Sequence, residues 1–257
     1  MDPCLVLENV SREFGALKAV DAVDLAIRSG ERHAVIGPNG AGKTTLFNLI
    51  SGELQATGGK IVFFGADVTP LPPHQRAARG IARTFQVMRL FPGLSVLDNV
   101  LLACAALDRR RFTMYRPLAS CTALIDRATE LLDAFGLSQR RLEPCRNLSY
   151  GEQRKLEVAL SLAGRPRLLL LDEPMAGLSS DERSAVLSLL EQLDPSIAVL
   201  LIEHDMDIAL AFAETITVLH QGRVVASGRK NEVGANPIVQ EIYLGVPAAP
   251  HPSPPPC

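Results

Sequence analysis

Arg32-His33-Ala34-Val35-Ile36-Gly37-Pro38-Asn39-Gly40-Ala41-Gly42-Lys43-Thr44-Thr45 is the stretch on which the reading of this chain turns. His33 to Ile36 is a short apolar run and reads as a buried strand. Gly37 to Gly42 holds too much glycine to be helix or strand. After Lys43, the apolar residues Leu46, Leu49 and Ile50 fall at helical spacing. Strand, glycine loop and helix in succession make G-x-x-x-x-G-K-[ST] a phosphate-binding loop. The glycines let backbone N–H groups converge on an anion with no side chain in the way. The start of the helix adds unpaired donors and partial positive charge. Lys43 supplies a full charge for the β- and γ-phosphates, and the Thr44 hydroxyl is placed to ligate Mg2+. The nucleotide-holding set is therefore Gly37, Pro38, Asn39, Gly40, Ala41, Gly42, Lys43, Thr44 and Thr45.

Around this stretch lie 257 residues, 47% of them hydrophobic, with a net charge of −2. That is enough chain for one large domain or two small ones with a full core. The charge balance gives no sign of a nucleic-acid or anionic-lipid binder. Cys4, Cys104, Cys121, Cys145 and Cys257 are scattered, with no C-x-x-C pair for zinc. An odd, sparse set fits a reducing cytoplasm better than a disulfide framework. Met1-Asp2-Pro3-Cys4 lacks the basic-then-apolar pattern of a signal peptide. No apolar run approaches the ~20 residues of a transmembrane helix. A soluble protein is expected, linked to a membrane only through a partner.

In order, Leu5 to Val10 reads as an edge strand, Phe14-Gly15 as a turn, and Val20 to Ile27 as a half-buried strand. Gly52 fits the position after the first helix. Lys60 to Phe64 is a strand, so the front of the chain carries a small antiparallel sheet. A short helix from Leu71-Pro72-Pro73 stops at Gly80, and Ile81 to Phe85 is a strand with Gln86 at its end. Ser95 caps a helix with Asp98 three residues on; Leu124 to Phe135 and the stretch after Ser149 carry further amphipathic helices. Residues from about 87 to 163 are read as a helical subdomain inserted in an α/β core. Leu168 to Leu171 and Ile197 to Ile202 are continuous apolar runs, as buried parallel strands are. Thr215 to Leu219 and Arg223 to Ala226 form a hairpin through Gln221-Gly222, and Pro237 to Leu244 is a last helix. Residues 247–257 are Pro-rich and expected to be disordered.

Four strands thus end in polar residues: before Gly37, at Gln86, at Asp172-Glu173 and at His204. In an open parallel sheet, ligands sit beyond the carboxyl ends of the strands, so these groups should converge. Asp172 is placed to hold Mg2+, and Glu173 to orient or deprotonate the attacking water. Gln86 can reach the metal or that water. His204 can hydrogen-bond the γ-phosphate and register its loss. Ser149-Tyr150-Gly151 is a second serine-glycine turn at a helix start, hence a second anion site. Two such sites in one chain suggest that two chains share two nucleotides.

Gly-Pro-Asn-Gly-Ala-Gly-Lys-Thr-Thr from Gly37, Gln86, Leu-Ser-Tyr-Gly-Glu-Gln from Leu148, Leu-Leu-Leu-Leu-Asp-Glu-Pro from Leu168 and His204 follow one another as in ABC-type ATPase domains. The chain resembles that family over roughly residues 4 to 246. Arg83-Thr84-Phe85-Gln86, Arg89-Leu90-Phe91-Pro92, Leu94 to Val100, Glu203-His204-Asp205-Met206 and Tyr243-Leu244-Gly245 resemble the ATPases of branched-chain amino-acid importers in particular.

The resemblance implies a P-loop NTPase core over residues 1–246 with an antiparallel β-subdomain and the inserted helices. It implies ATP and Mg2+ as cofactors and a head-to-tail homo- or heterodimer of ATPase chains. Two permease subunits would hold it at the cytoplasmic face of the plasma membrane, with an extracytoplasmic solute-binding protein beyond. It implies that Phe14 stacks on adenine and that Ser149 and Gly151 face the γ-phosphate of the partner chain. The apolar loop Val87, Met88, Arg89, Leu90 and Phe91, following Gln86, is the expected permease contact. Lys43, Gln86, Glu173 and His204 are the catalytic set, and Thr44, Gln86 and Asp172 the metal set. Tyr150, Glu152 and Ser179 depart from the family's commonest glycine, glutamine and aspartate. The alternatives in the same fold are an ATPase of lipid or lipopolysaccharide export and a soluble ATPase of the iron–sulfur assembly type.

Overall fold

The computed structural model describes residues 3–84, 90–106 and 121–244. In chain order its elements are β1 (Pro3–Phe14), β2 (Leu17–Arg28), β3 (Arg32–Ile36), α1 (Lys43–Ser51), β4 (Gly58–Phe63), β5 (Ala66–Asp67), α2 (Pro73–Ala77) and β6 (Ile81–Arg83). Three helices follow, α3 (Val96–Ala106), α4 (Thr122–Ala134) and α5 (Tyr150–Leu162). The chain then returns through β7 (Leu168–Asp172), α6 (Ser180–Glu191), β8 (Ala198–Glu203), α7 (Met206–Phe212), β9 (Thr215–His220), β10 (Arg223–Arg229), α8 (Lys230–Gly234) and α9 (Pro237–Leu244).

The strand orders are β10-β9-β3-β8-β7-β6 in one sheet and β2-β1-β4-β5 in the other. In the six-stranded sheet β3 pairs in parallel with both β8 and β9, and β7 in parallel with β8 and β6; β10 is antiparallel to β9. The leucine run of β7 shows how this sheet divides the core. Successive side chains point to opposite faces, so Leu169 and Leu171 join one apolar cluster with α3, α4, α5 and α6. Leu168 and Leu170 join the other, with α1 and the antiparallel sheet. A strand covered on both faces has no polar side, which is why β7 and β8 read as unbroken apolar runs.

β1 is not an edge strand. It pairs with β2 on one side and β4 on the other, and Leu5, Leu7 and Val10 are fully buried. Its exposed positions include Glu8, Asn9 and Glu13. β6 ends at Arg83, short of the expected Phe85, and Phe85 to Arg89 lie outside the described residues. The Pro-rich tail, residues 247–257, also lies outside them.

One buried side chain fastens the phosphate-loop helix from behind. Arg76 is almost completely buried. Its Nη1 donates to the carbonyls of Leu49 and Ile50 at 2.5 and 2.9 Å, its Nε to Leu71 at 2.9 Å and its Nη2 to Thr69 at 2.9 Å. The first two lie in the last turn of α1, where Leu49 also accepts the Gly52 N–H at 3.3 Å and a cation meets the negative end of the helix dipole. Arg76→Lys keeps the charge but cannot spread one ammonium over four carbonyls. Urea unfolding should show a loss of about 2 kcal/mol, as buried acceptors lose their donors. A loss below about 0.5 kcal/mol, the level of a neutral surface change, would show that the fork is dispensable.

Candidate functional site

The loop between β3 and α1 is shaped by what lies behind it. A Cβ on Gly37 would collide with the Leu219 carbonyl, and one on Gly42 with the Ala19 carbonyl. Those two glycines let the loop press against β9 and β2. Gly40 has φ 80° with nothing within 4 Å of a Cβ, so glycine there serves the backbone conformation. The turn of the β9–β10 hairpin braces the loop, the Gly222 N–H donating to the Ala41 carbonyl at 2.9 Å. Lys43 is buried, and its Nζ donates to the carbonyls of Gly37 and Pro38 at 2.6 and 3.0 Å. Burial pulls its pKa down, against the opposing pull of Glu173, Asp172 and Glu203. Thr44 and Thr45, half-buried, begin α1.

Sheet register brings three strand ends side by side. Ile36 stands opposite Glu203, and Asp172 opposite Ile202. Asp172 is buried; its Oδ2 accepts from Arg83 Nη2 at 3.1 Å. Its Oδ1 has no hydrogen-bond partner among the described residues. Burial raises the Asp172 pKa and the Glu173 charge adds to this, while Arg83 opposes both. Arg83 also reaches Asn48 and Ser51 of α1 at 2.5 and 3.1 Å, tying that helix to the acid. Glu173 takes up a left-handed backbone conformation, φ 46°, which for a non-glycine residue stores strain of about 1–3 kcal/mol and turns the chain sharply at the strand end. Its N–H donates to the Ile202 carbonyl at 3.1 Å, and its Oε1 is 3.4 Å from His204 Nδ1. His204 is half exposed.

The expected set thus falls into three groups. Lys43, Asp172, Glu173 and His204 gather at one set of strand ends. Phe14 closes the β1–β2 hairpin, paired with Leu17; Ala19, two residues further on, touches Gly42, which puts the ring at the phosphate-loop end of the sheet. The Arg12 guanidinium lies 4.6 Å over that ring, and Phe14 is partly exposed. Ser149 and Gly151 stand apart. Ser149 caps α5 in a reciprocal box with Glu152, the Glu152 N–H to Ser149 Oγ at 3.2 Å and the Ser149 N–H to Glu152 Oε2 at 2.8 Å. Among the described residues the turn's close contacts run to residues 176–182 and not to the phosphate loop. Gln86, Val87, Met88 and Arg89 lie outside the described residues. Phe91 is exposed, while its backbone is clasped by the buried Asn99, Phe91 N–H to Oδ1 at 2.9 Å and Nδ2 to the Phe91 carbonyl at 3.2 Å.

Two site residues escaped sequence reasoning. Arg83 partners Asp172 across 89 positions of sequence; an arginine inside the strand expected over Ile81 to Phe85 signals a buried partner without naming it. Glu203 is fully buried, with Oε1 unpartnered among the described residues. Burial, then the nearby Glu173 charge, pushes its pKa up to about 8. A glutamate ending an apolar strand was the available sign.

The ABC transporter family model matches residues 20–176. The chain is 36% identical over 250 residues to the high-affinity branched-chain amino acid transport ATP-binding protein BraF of Pseudomonas aeruginosa, covering 95% of this chain and 98% of that one. It is 37% identical over 252 residues to LivG of Salmonella typhimurium, which bears the same description, with the same coverage. Among solved structures, an ATP-binding cassette of an ABC transporter in its ADP conformation superposes with TM-score 0.85 at 31% identity, over 96% of this chain and 100% of that one. A dimeric cassette in a post-hydrolysis state bound to ADP and Pi superposes with TM-score 0.75 at 27% identity, over 88% and 98%.

Proposed function

This chain belongs to the ABC transporter ATP-binding family, whose cassettes bind and hydrolyse ATP, and from that premise we propose that it powers uptake of branched-chain amino acids through partner permeases. The observation that carries the solute class is identity of 36–37% along 95% of the chain with two transport ATPases so described. Among the described residues no feature of the site favours the lipid-export or iron–sulfur alternative.

Within the site, Lys43 and the amides of residues 37–45 hold the phosphates, and Phe14 stacks on the base. The buried, unpartnered Oδ1 of Asp172 fits a divalent cation, with the Thr44 hydroxyl and Gln86 as the other holders; Mg2+ bound there would neutralise charge on the β- and γ-phosphates. Glu173 takes the proton of the attacking water. His204, held beside Glu173, hydrogen-bonds the γ-phosphate. Ser149 and Gly151 cap the nucleotide of a second chain, homo- or heterodimeric. Their separation from the phosphate loop within this chain supports that reading, as does the dimeric cassette bound to ADP and Pi.

The described residues contain no helix long and apolar enough to cross a membrane. The proposed attachment is peripheral, at the cytoplasmic face, by two permease subunits seated on residues 87–91. Exposed Phe91 on a clasped backbone supports that contact. The helices between β6 and β7 then act as the inserted subdomain, residues about 87–163 of a 1–246 domain. An extracytoplasmic solute-binding protein completes the system.

Deleting the gene from its host should abolish high-affinity uptake of radiolabelled leucine, isoleucine and valine, and a wild-type copy should restore it. Uptake of all three at the undeleted rate would exclude this solute class.

A further inference from the structure

The start of α5 meets the segment after Glu173 at two points. The Tyr150 hydroxyl donates to the Ala176 carbonyl at 3.3 Å and accepts from Arg154 Nε at 3.2 Å and Nη2 at 2.9 Å. Arg154 is in turn held by Glu157, Nη1 to Oε2 at 2.9 Å, and both are buried. The hydroxyl cannot swing away without leaving a buried guanidinium short of acceptors. The ring covers Gly177, where a Cβ would lie 3.3 Å from Tyr150 Cε1. Beside it, a Cβ on Gly151 would collide with the Glu182 carboxylate, whose other oxygen accepts from the Ser179 N–H at 3.0 Å and hydroxyl at 2.9 Å. The segment itself folds back on the proposed base: the Ala176 N–H donates to the Glu173 carbonyl at 3.1 Å. A continuous set of contacts therefore runs from Glu173 through Ala176 and Tyr150 to Ser149.

We propose that Tyr150 is a positioning residue that latches the Ser149–Gly151 turn to the segment after Glu173 within one chain. This rests on the shared-site dimer proposed above. In such a dimer Glu173 serves the nucleotide held by its own Lys43, while Ser149 of the same chain caps the other nucleotide. The latch makes the hydrolytic side of one site and the cap of the other move as one body. A glycine at position 150 would have neither ring nor hydroxyl to do so.

Tyr150→Phe removes the hydroxyl alone. In the nucleotide-free full-length chain, amide hydrogen exchange of residues 176–180 should quicken roughly three- to tenfold, the range for one lost hydrogen bond. At protein concentrations where ATP holds the chain dimeric, kcat should fall by a similar factor, about three- to tenfold, with KM for ATP unchanged. Unchanged exchange would overturn the latch, and faster exchange with unchanged kcat would overturn its coupling role. If the nucleotide-free melting temperature of Tyr150→Phe falls sharply, Glu182→Ala loosens the same segment from the other side with Tyr150 and Arg154 intact, and the same two measurements decide. The shared-site reading is tested separately: a Glu173→Gln chain that stays monomeric in saturating Mg·ATP rejects it, and the coupling role with it, whatever the exchange shows.

Discussion

Glu173→Gln should slow ATP hydrolysis by about 10²–10⁴, the usual contribution of a positioned base, and leave ATP binding intact. The strained backbone at Glu173 aims its side chain off the end of β7, and His204 Nδ1 lies 3.4 Å from its Oε1. Glutamine keeps the size and one acceptor oxygen there. It cannot take a proton, and it removes one negative charge from a cluster that also holds Asp172 and Glu203. A γ-phosphate entering that cluster then meets less repulsion, so closure around ATP is favoured and hydrolysis no longer reverses it. The variant should elute as a Mg·ATP-dependent dimer in light-scattering chromatography, with wild type largely monomeric. Single-turnover hydrolysis at the wild-type rate would remove Glu173 from the role of base.

Lys43→Ala should abolish most of the stabilisation that ATP gives the fold. At ~100 times its dissociation constant a ligand stabilises by ~2.7 kcal/mol, which for a chain of this size raises the melting temperature by roughly 5–10 °C. The Lys43 ammonium is buried against two loop carbonyls, so its attraction for phosphate is poorly screened. Truncating one partner of such a pair costs about 2–5 kcal/mol, or about thirtyfold to several-thousand-fold in affinity. A hundredfold loss would leave the same ATP concentration near the dissociation constant, with a stabilisation of only ~0.4 kcal/mol. The comparison is made against each protein's own nucleotide-free melting curve, because removing the ammonium also takes a donor from the carbonyls of Gly37 and Pro38, of which Pro38 keeps the Ala41 N–H. Equal ATP-induced shifts in the two proteins would take Lys43 out of the phosphate site.

The local sequence determined much of this protein. Glycine-rich Gly37 to Gly42 after His33 to Ile36 could only be a loop leaving a buried strand. Four leucines before Asp172 could only be a strand covered on both faces, since no polar side remains to meet water. Ser149 and Ser179, each with a glutamate three residues on, mark the starts of α5 and α6 through the reciprocal capping box seen at both. Such signals lie within a few residues of one another and survive any rearrangement of the rest.

Tertiary structure alone decided the neighbours. β8 lies between β3 and β7, although it follows both in sequence, and that order sets Glu203 beside the site and buries it. β1 became an inner strand because β4, more than 40 residues later, pairs with its second edge. The choice of Arg83 as the partner of Asp172, and of Ala176 as the acceptor for Tyr150, depends on side chains brought together across 89 and 26 positions. Periodicity states which face of an element is apolar. Which face it meets is settled only when every strand edge and every buried charge in the core must be satisfied at once.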